Sequence, residues 1–504
     1  MPCPLFEASR PLNDFSENFM HDSRRLLIQI KYTGTRMPDD SHFFDDAAYI
    51  SHIRDEAATK EATIFHTAHC PQNRYLLASS NKGRIAIWDL SFYLFPAASA
   101  SLLTTCPSLS FASRASPLLT RGFSRHLRQY ECRMFPAALR RKGFPCLSIQ
   151  VSERAINHVM FLGEGSTNPL LVLAGDDGIY VWPWARILKL LSQAIGEDGG
   201  MDQDCTQGIP GNSCITQDLG APSALLKALP SQEAWPFLTE SNQVAPSFHS
   251  SSSTSPSVCF SACGDALVRQ WDLETQKCAS VLIGHTGYVH AIQSLGPGTA
   301  APGLVLSGGE DGKIGVWDVR ACDGRGGGVA SLVRMMEGWE RGEVLGEKNR
   351  TSGGGIGSRS VNRREGPSWI SSLDVDRGGN FMVAAGGMEG GMGGGKPSSW
   401  GVLSVVHLPS FSMVSAARTD CAIQGVAFEE EKIISVGSER QALHWARPGL
   451  GKAARVTTDI PSVFSVNVRR SPPNGDGVTV YAGRADHVNV FVHPEHSAFN
   501  LKFR

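Results

Sequence analysis

The sequence predicts an all-β chain: a seven-bladed β-propeller with an N-terminal helical extension and long disordered insertions. Three observations predict it. A short tail of alternating apolar residues closed by an aromatic recurs seven times. A second apolar run ending in small residues precedes each tail. The spacings between tails fall near one repeat length or about twice that length, the signature of a repeat architecture.

The strongest tails are IAIWDL (85–90), IYVWPW (179–184), VRQWDL (268–273) and IGVWDV (314–319). Weaker copies are LSVVHL (403–408), ALHWARP (442–448) and VNVFVHP (488–494). Their key positions are Trp88, Trp182, Trp271, Trp317, Val406, Trp445 and Phe491, separated by 94, 89, 46, 89, 39 and 46 residues. Upstream runs such as YLLASSNKG (75–83), LLVLAGDDG (170–178) and LVLSGGEDG (304–312) read as inner strands. Their Asp-Gly and Asn-Lys-Gly ends supply the positive φ that reverses the chain. Strands covered on both faces by neighbouring blades read as nearly continuous apolar runs.

Composition assigns the doubled gaps to insertions, at about 96–146, 196–238, 323–366 and 387–399. The first carries eight Lys or Arg against the single acid Glu131. It is either a disordered insertion or an RNA-contacting arm using Arg125, Arg128, Arg140, Arg141 and Lys142. The second opens on an amphipathic helix, WARILKLLSQAI, and becomes Ser-rich. The last two are Gly-rich. Gly390–Lys396 approaches a phosphate-binding loop, but Pro397 stands where the metal-ligating hydroxyl belongs, and a strand follows instead of a helix. Residues 1–61 form an extension with a helix near 45–60, and 62–504 form the propeller. The first blade starts near Thr63, and SAFNLKFR (497–504) is the outer strand of the last blade. RLLIQIKY (25–32) leaves closure by strand exchange open.

Composition also limits function. The formal net charge is −1, so no whole-chain attraction to nucleic acid is expected. No stretch of about 18 apolar residues predicts a membrane span, and the N-terminus lacks the pattern of a secretory signal. Twelve cysteines occur without a framework of spacings. The closest pair, Cys259 and Cys263, lies inside a strand and has no matching pair for zinc. No metal, cofactor, membrane or small-molecule substrate is expected.

The fourth repeat is the most specific. Gly284-His285, Ser307, Asp311-Gly312 and Trp317-Asp318 resemble the WD40 family, in which His, Ser, Asp and Trp form a hydrogen-bonded tetrad within one blade. The third repeat keeps Ser261, Asp265 and Trp271; the sixth has Ser435, Glu439 and Trp445. A catalytic reading of Ser, His and Asp fails, because no nucleophile elbow surrounds Ser307 and buried polar groups of this kind satisfy each other. No enzyme is expected.

Further segments sharpen the resemblance: TIFHTAHCP, ASSNKGRIAIWDL, LAGDDGIYVWPWARIL, WISSLDV and AGRADHVNVFVHPEHSAFNLKF. Together they are similar to the THO complex subunit 6 family of WD40 proteins. That resemblance implies a nuclear, non-catalytic scaffold in a THO/TREX assembly acting in mRNA processing, packaging and export. Its partners would be other THO/TREX subunits, with RNA contacted indirectly. The alternative is a substrate receptor of a cullin-type ubiquitin ligase. Trp317-Asp318-Val319-Arg320 resembles the WDxR box by which such receptors dock the ligase's adaptor, through Trp317, Asp318 and Arg320.

Overall fold

The computed structural model describes residues 63–94, 130–135, 137–163, 165–196, 215–227, 240–248, 258–320, 331–338, 368–389, 399–429, 432–447, 450–451, 453–469, 477–493 and 496–503. The chain separates into two compact units, Met1–Glu56 and Ala57–Arg504, and every described residue belongs to the second. The helix expected near 45–60 and the strand-like segment 25–32 lie outside the described residues.

The second unit is a seven-bladed propeller of antiparallel sheets. Blade one holds β1 (Ile64–His69), β2 (Tyr75–Ser80), β3 (Arg84–Asp89), β4 (Glu131–Met134) and β5 (Leu147–Gln150), joined by β9 (Ile215–Asp218). Blade two is β6 (Ile156–Leu162), β7 (Leu170–Gly175), β8 (Gly178–Pro183) and β10 (Ala224–Leu226). Blade three is β11 (Ser241–Pro246), β12 (Val258–Cys263), β13 (Leu267–Asp272) and β14 (Lys277–Ile283). Blade four is β15 (Val289–Ser294), β16 (Leu304–Gly309), β17 (Lys313–Asp318) and β18 (Ser331–Glu337). Blade five is β19 (Ser368–Val375), β20 (Phe381–Glu389), β21 (Ser399–His407) and β22 (Ser412–Thr419). Blade six is β23 (Ile423–Glu429), β24 (Lys432–Gly437), β25 (Gln441–Ala446) and β26 (Ala454–Thr457). Blade seven is β27 (Val463–Arg469), β28 (Val478–Gly483), β29 (His487–His493) and β30 (His496–Lys502). Three short helices are described: α1 (Ser91–Leu94), α2 (Ala137–Arg140) and α3 (Trp184–Gly196).

The second and third strands of each blade are the upstream runs and tails read from the sequence. β2, β16 and β28 are buried at every position. Parts of the segments read as insertions differ from that reading, because they supply outer strands: β4 in blade one, β10 in blade two and β18 in blade four. The physical reason is exposure. Outer strands need only one apolar face, and the described residues of β18 are mostly exposed or half-buried, so its sequence lacks the apolar run that marks an inner strand. The hairpin of β20 and β21 likewise extends to Glu389 and resumes at Ser399, within the last of those segments.

One irregularity repeats around the ring. The innermost strand of every blade carries a register shift at its start, between Ile64 and His66, Ile156 and His158, Ser241 and Gln243, Val289 and Ala291, Ile370 and Ser372, Ile423 and Gly425, and Val463 and Ser465. A bulge re-aims one side chain out of the ladder. In blades two, three and five that side chain bonds the first carbonyl of the next blade's inner strand: Asn157 to Ser241 (3.3 Å), Asn242 to Val289 (2.8 Å) and Ser371 to Ile423 (2.6 Å). Further along the same strands, Gln243 accepts from Ile292 N (2.9 Å), and Asp374 accepts from Phe428 N (2.7 Å). Adjacent blades are thus joined by polar bonds at the hub and apolar packing farther out.

Closure follows the same rule. Asn467 of blade seven donates to Thr67 O of blade one at 3.1 Å. Farther out, Lys502 N donates to Gly143 O (2.8 Å), and Trp88 Nε1 donates to the same carbonyl (3.1 Å). β30 supplies the outer strand of blade seven from the chain's own C-terminal end.

Candidate functional site

In blade four the strand register brings four separated residues together. β16 and β17 pair so that Ser307 lies opposite Gly315 and Trp317 opposite Val305. The Trp317 indole then reaches back, and its Nε1–H donates to Ser307 Oγ at 2.8 Å. His285 Nε2 lies 2.7 Å from the same hydroxyl, while its Nδ1 lies 3.0 and 3.1 Å from the Asp311 carboxylate oxygens. Asp311 also accepts from Thr286 N (3.0 Å) and Lys313 N (3.1 Å). Burial alone would raise the Asp311 carboxyl, but the bonds from His285, Thr286 and Lys313 hold it below the ordinary carboxylate range. Glycine at 315 is a steric requirement, since a Cβ there would sit 2.7 Å from Ser307 Oγ and 2.8 Å from Trp317 Nε1. Every polar atom of the set has a partner inside the blade, and Ser307 is fully buried, so the arrangement braces the blade and offers no reactive hydroxyl.

The other blades solve the same problem differently. Trp271 donates to Ser261 (2.8 Å) and Trp445 to Ser435 (2.8 Å). Blade three lacks the histidine, and Arg269 takes its place, binding Asp265 through both guanidinium nitrogens in a pair with side chains 5% and 2% exposed. In blade six Glu439 is exposed and lies beside the Cys421 thiol, apart from the Ser435–Trp445 bond. Blades one and two have Ala78 and Leu173 where the serine would stand. There the indole N–H groups turn to backbone carbonyls of the connecting segments: Trp88 to Gly143 O, and Trp182 to Gly220 O (3.3 Å). A serine ten residues before the tryptophan separates the two solutions, and the three serines named from the sequence, Ser261, Ser307 and Ser435, are the ones that accept the indole bond. Arg269 had no motif to flag it.

At the end of β17, Arg320 is exposed and folded back on its own Asp318, with Nε 2.9 and 3.1 Å from the carboxylate oxygens. Trp317, the third member of that box, is buried in the core. Of the basic residues named for RNA contact, Arg125 and Arg128 lie outside the described residues. Arg141 and Lys142 are exposed. Arg140 is corrected: it is 6% exposed, because the last turn of α2 aims its guanidinium inward beside the buried Cys146 thiol.

The hub encloses a channel of about 400 Å³ lined by the inner strands. His66 and His158 face each other across the seam of blades one and two, ring centroids 4.0 Å apart. Burial lowers His66 to about 4 and holds His158 well below the ordinary value. Among the described residues no group of three His, Cys, Asp or Glu is placed to hold a metal ion, and no helix is long and apolar enough to cross a membrane.

The WD domain, G-beta repeat family matches residues 276–318, which contain all four tetrad positions together with β14 to β17. THO complex subunit 6 of Homo sapiens is 29% identical over 243 residues, covering 48% of this chain and 58% of the human protein. The chain carries a WD40 repeat within a seven-bladed propeller and is similar to THO complex subunit 6. The homolog from Danio rerio is 23% identical over 442 residues, covering 88% of this chain and 97% of that protein. THO complex subunit 6 of Arabidopsis thaliana is 22% identical over 344 residues, 68% of this chain and 74% of the relative. The WD40 match spans the outer strand of blade three and the first three strands of blade four, the blade with the complete tetrad. Blades whose tryptophan bonds a carbonyl, or whose histidine is replaced by Arg269, depart from the motif while keeping the geometry.

Proposed function

We propose that the protein is a non-catalytic subunit of a nuclear THO/TREX-like assembly, acting as a scaffold in mRNA processing, packaging and export. The observation that carries this reading is the similarity to THO complex subunit 6 from two vertebrates and a plant. The architecture suits the role. A ring stitched at its hub and braced by buried bonds holds its rims rigid for partners, at small ordering cost on binding.

A second reading, a substrate receptor of a cullin-type ubiquitin ligase, rests on the exposed Arg320 beside Asp318. In that reading the adaptor's carboxylates would compete with Asp318 for the guanidinium. Affinity purification of the tagged protein from native nuclei, with mass-spectrometric identification, tests both. Recovery of THO subunits with wild type and with Arg320→Ala alike supports the scaffold. Recovery of the ligase adaptor with wild type, lost with Arg320→Ala, supports the receptor. Absence of THO subunits from both preparations refutes the first reading.

A further inference from the structure

α2 and the turn after it lie across the outer seam where blade seven meets blade one. Gly143, in a left-handed conformation with φ of 89°, fixes the turn by accepting from Trp88 of blade one and Lys502 of blade seven. Tyr93 Oη donates to Arg140 O at 2.7 Å, which ties α1 to α2. These contacts bring together side chains from three distant parts of the sequence.

Three cations surface there: Arg141, Lys142 and Lys502, all exposed. Among the described residues none of them is paired with a carboxylate. Asp459, engaged by His487 and by Asn500, is the acid bonded to the same outer strand. Aromatic rings pack along the same seam. Lys502 Nζ sits 5.2 Å over the half-buried Phe144 ring, which stacks on Phe135 at 6.1 Å. Tyr93 stacks on Phe499 at 5.1 Å and meets Phe92, 39% exposed, at 5.7 Å. The chain entering this region, residues 95–129, carries Arg114, Arg121, Arg125 and Arg128 and no Asp or Glu.

We infer that this seam is a binding surface for single-stranded RNA, with Arg141, Lys142 and Lys502 on phosphates and the exposed Phe92 ring offering a face to a base. Unpaired cations beside partly exposed rings are what a flexible polyanion with π faces recognises. An acidic protein segment would use the cations and leave the rings without a matched partner, so RNA is favoured. The surface is independent of the scaffold role, because it needs no THO subunit to form.

Fluorescence anisotropy with a labelled single-stranded 20-mer RNA tests it on the full chain at several salt concentrations. Three phosphate contacts give a logarithmic salt slope of about −2, so affinity should fall about 20-fold between about 50 and 200 mM salt through these contacts. The triple variant Arg141→Ala/Lys142→Ala/Lys502→Ala should flatten the slope by about 2 and weaken binding at low salt at least about ten-fold. Its melting temperature should match wild type, since all three side chains are exposed. Phe92→Ala should lose about five-fold or more in affinity with the slope unchanged. The inference is overturned if wild type does not bind RNA, or if the triple variant binds with wild-type affinity and slope. It is also overturned if a poly-glutamate peptide binds wild type and RNA does not, which would assign the surface to an acidic protein.

Discussion

Ser307→Ala tests whether the tetrad, rather than tryptophan packing alone, braces blade four. Ser307 Oγ serves two buried groups, the Trp317 indole N–H and His285 Nε2. Its counterpart in blade six, Ser435, accepts one side-chain bond, from Trp445. Each buried group left without a partner costs roughly 1–3 kcal/mol, and removing one hydroxyl leaves almost no cavity. Ser307→Ala should therefore cost about 2–6 kcal/mol and Ser435→Ala about 1–3 kcal/mol. Trp317→Ala, which empties the space of a side chain 1% exposed, gives a packing reference at about 3–5 kcal/mol. Denaturant midpoints rank the variants. Amide hydrogen exchange localises the loss, which should concentrate in β15–β18 for the first and in β23–β26 for the second. Equal costs, or a larger cost for Ser435→Ala, would refute the two-partner account.

Three other outcomes follow from the same geometry. Arg269→Met should cost blade three about 3–5 kcal/mol by stranding the buried Asp265 carboxylate, and denaturant unfolding should show Asp265→Asn/Arg269→Met recovering part of it. Acidification should weaken the ring, at the hub through His66 and between blades six and seven through His444. His66 and His444 are both lowered to about 4 by burial, so above pH 6.5 they are neutral in folded and unfolded chain alike. Between pH 6.5 and 4 the unfolded chain takes up the protons first, and stability falls by up to about 3 kcal/mol per histidine, with His66→Gln flattening the pH dependence of the melting temperature. Arg320→Ala should leave the melting temperature unchanged, because the side chain is exposed and bonds only a neighbour on its own turn; a clear drop would show a structural role.

What the sequence made legible follows burial. The tails around Trp88, Trp182, Trp271 and Trp317 were readable because strands enclosed between neighbouring blades must be apolar along their length. Their final aromatic marks where blade meets blade. The tetrad was readable because its four residue types sit at fixed distances from one tight turn. The outer strands β4, β10 and β18 were not, since a short strand with one wet face carries little periodic signal. Arg141 and Lys142 were named from the sequence, but their meeting with Lys502 at one seam was out of reach for another reason. Its members come from opposite ends of the propeller sequence, and only ring closure makes them neighbours. Arg140, adjacent in sequence to two exposed cations, is buried by the turn of α2, which no charge count reveals.

The indole N–H explains why such different blades close one ring. Trp88, Trp182, Trp271, Trp317 and Trp445, the tryptophans that end the third strands, each place their single donor. Blades three, four and six place it on a serine in the adjoining strand, a bond local to the blade. Blades one and two place it on carbonyls of Gly143 and Gly220, in the segments that the repeat pattern treats as interruptions. Those segments are therefore part of the bracing of blades one and two. The carbonyl that satisfies Trp88 also receives Lys502 N, so one bond set both completes a degenerate blade and fastens the first blade to the last. Loss of the serine in blade one thus coincides with the place where the ring is closed, and the connecting segment serves both needs.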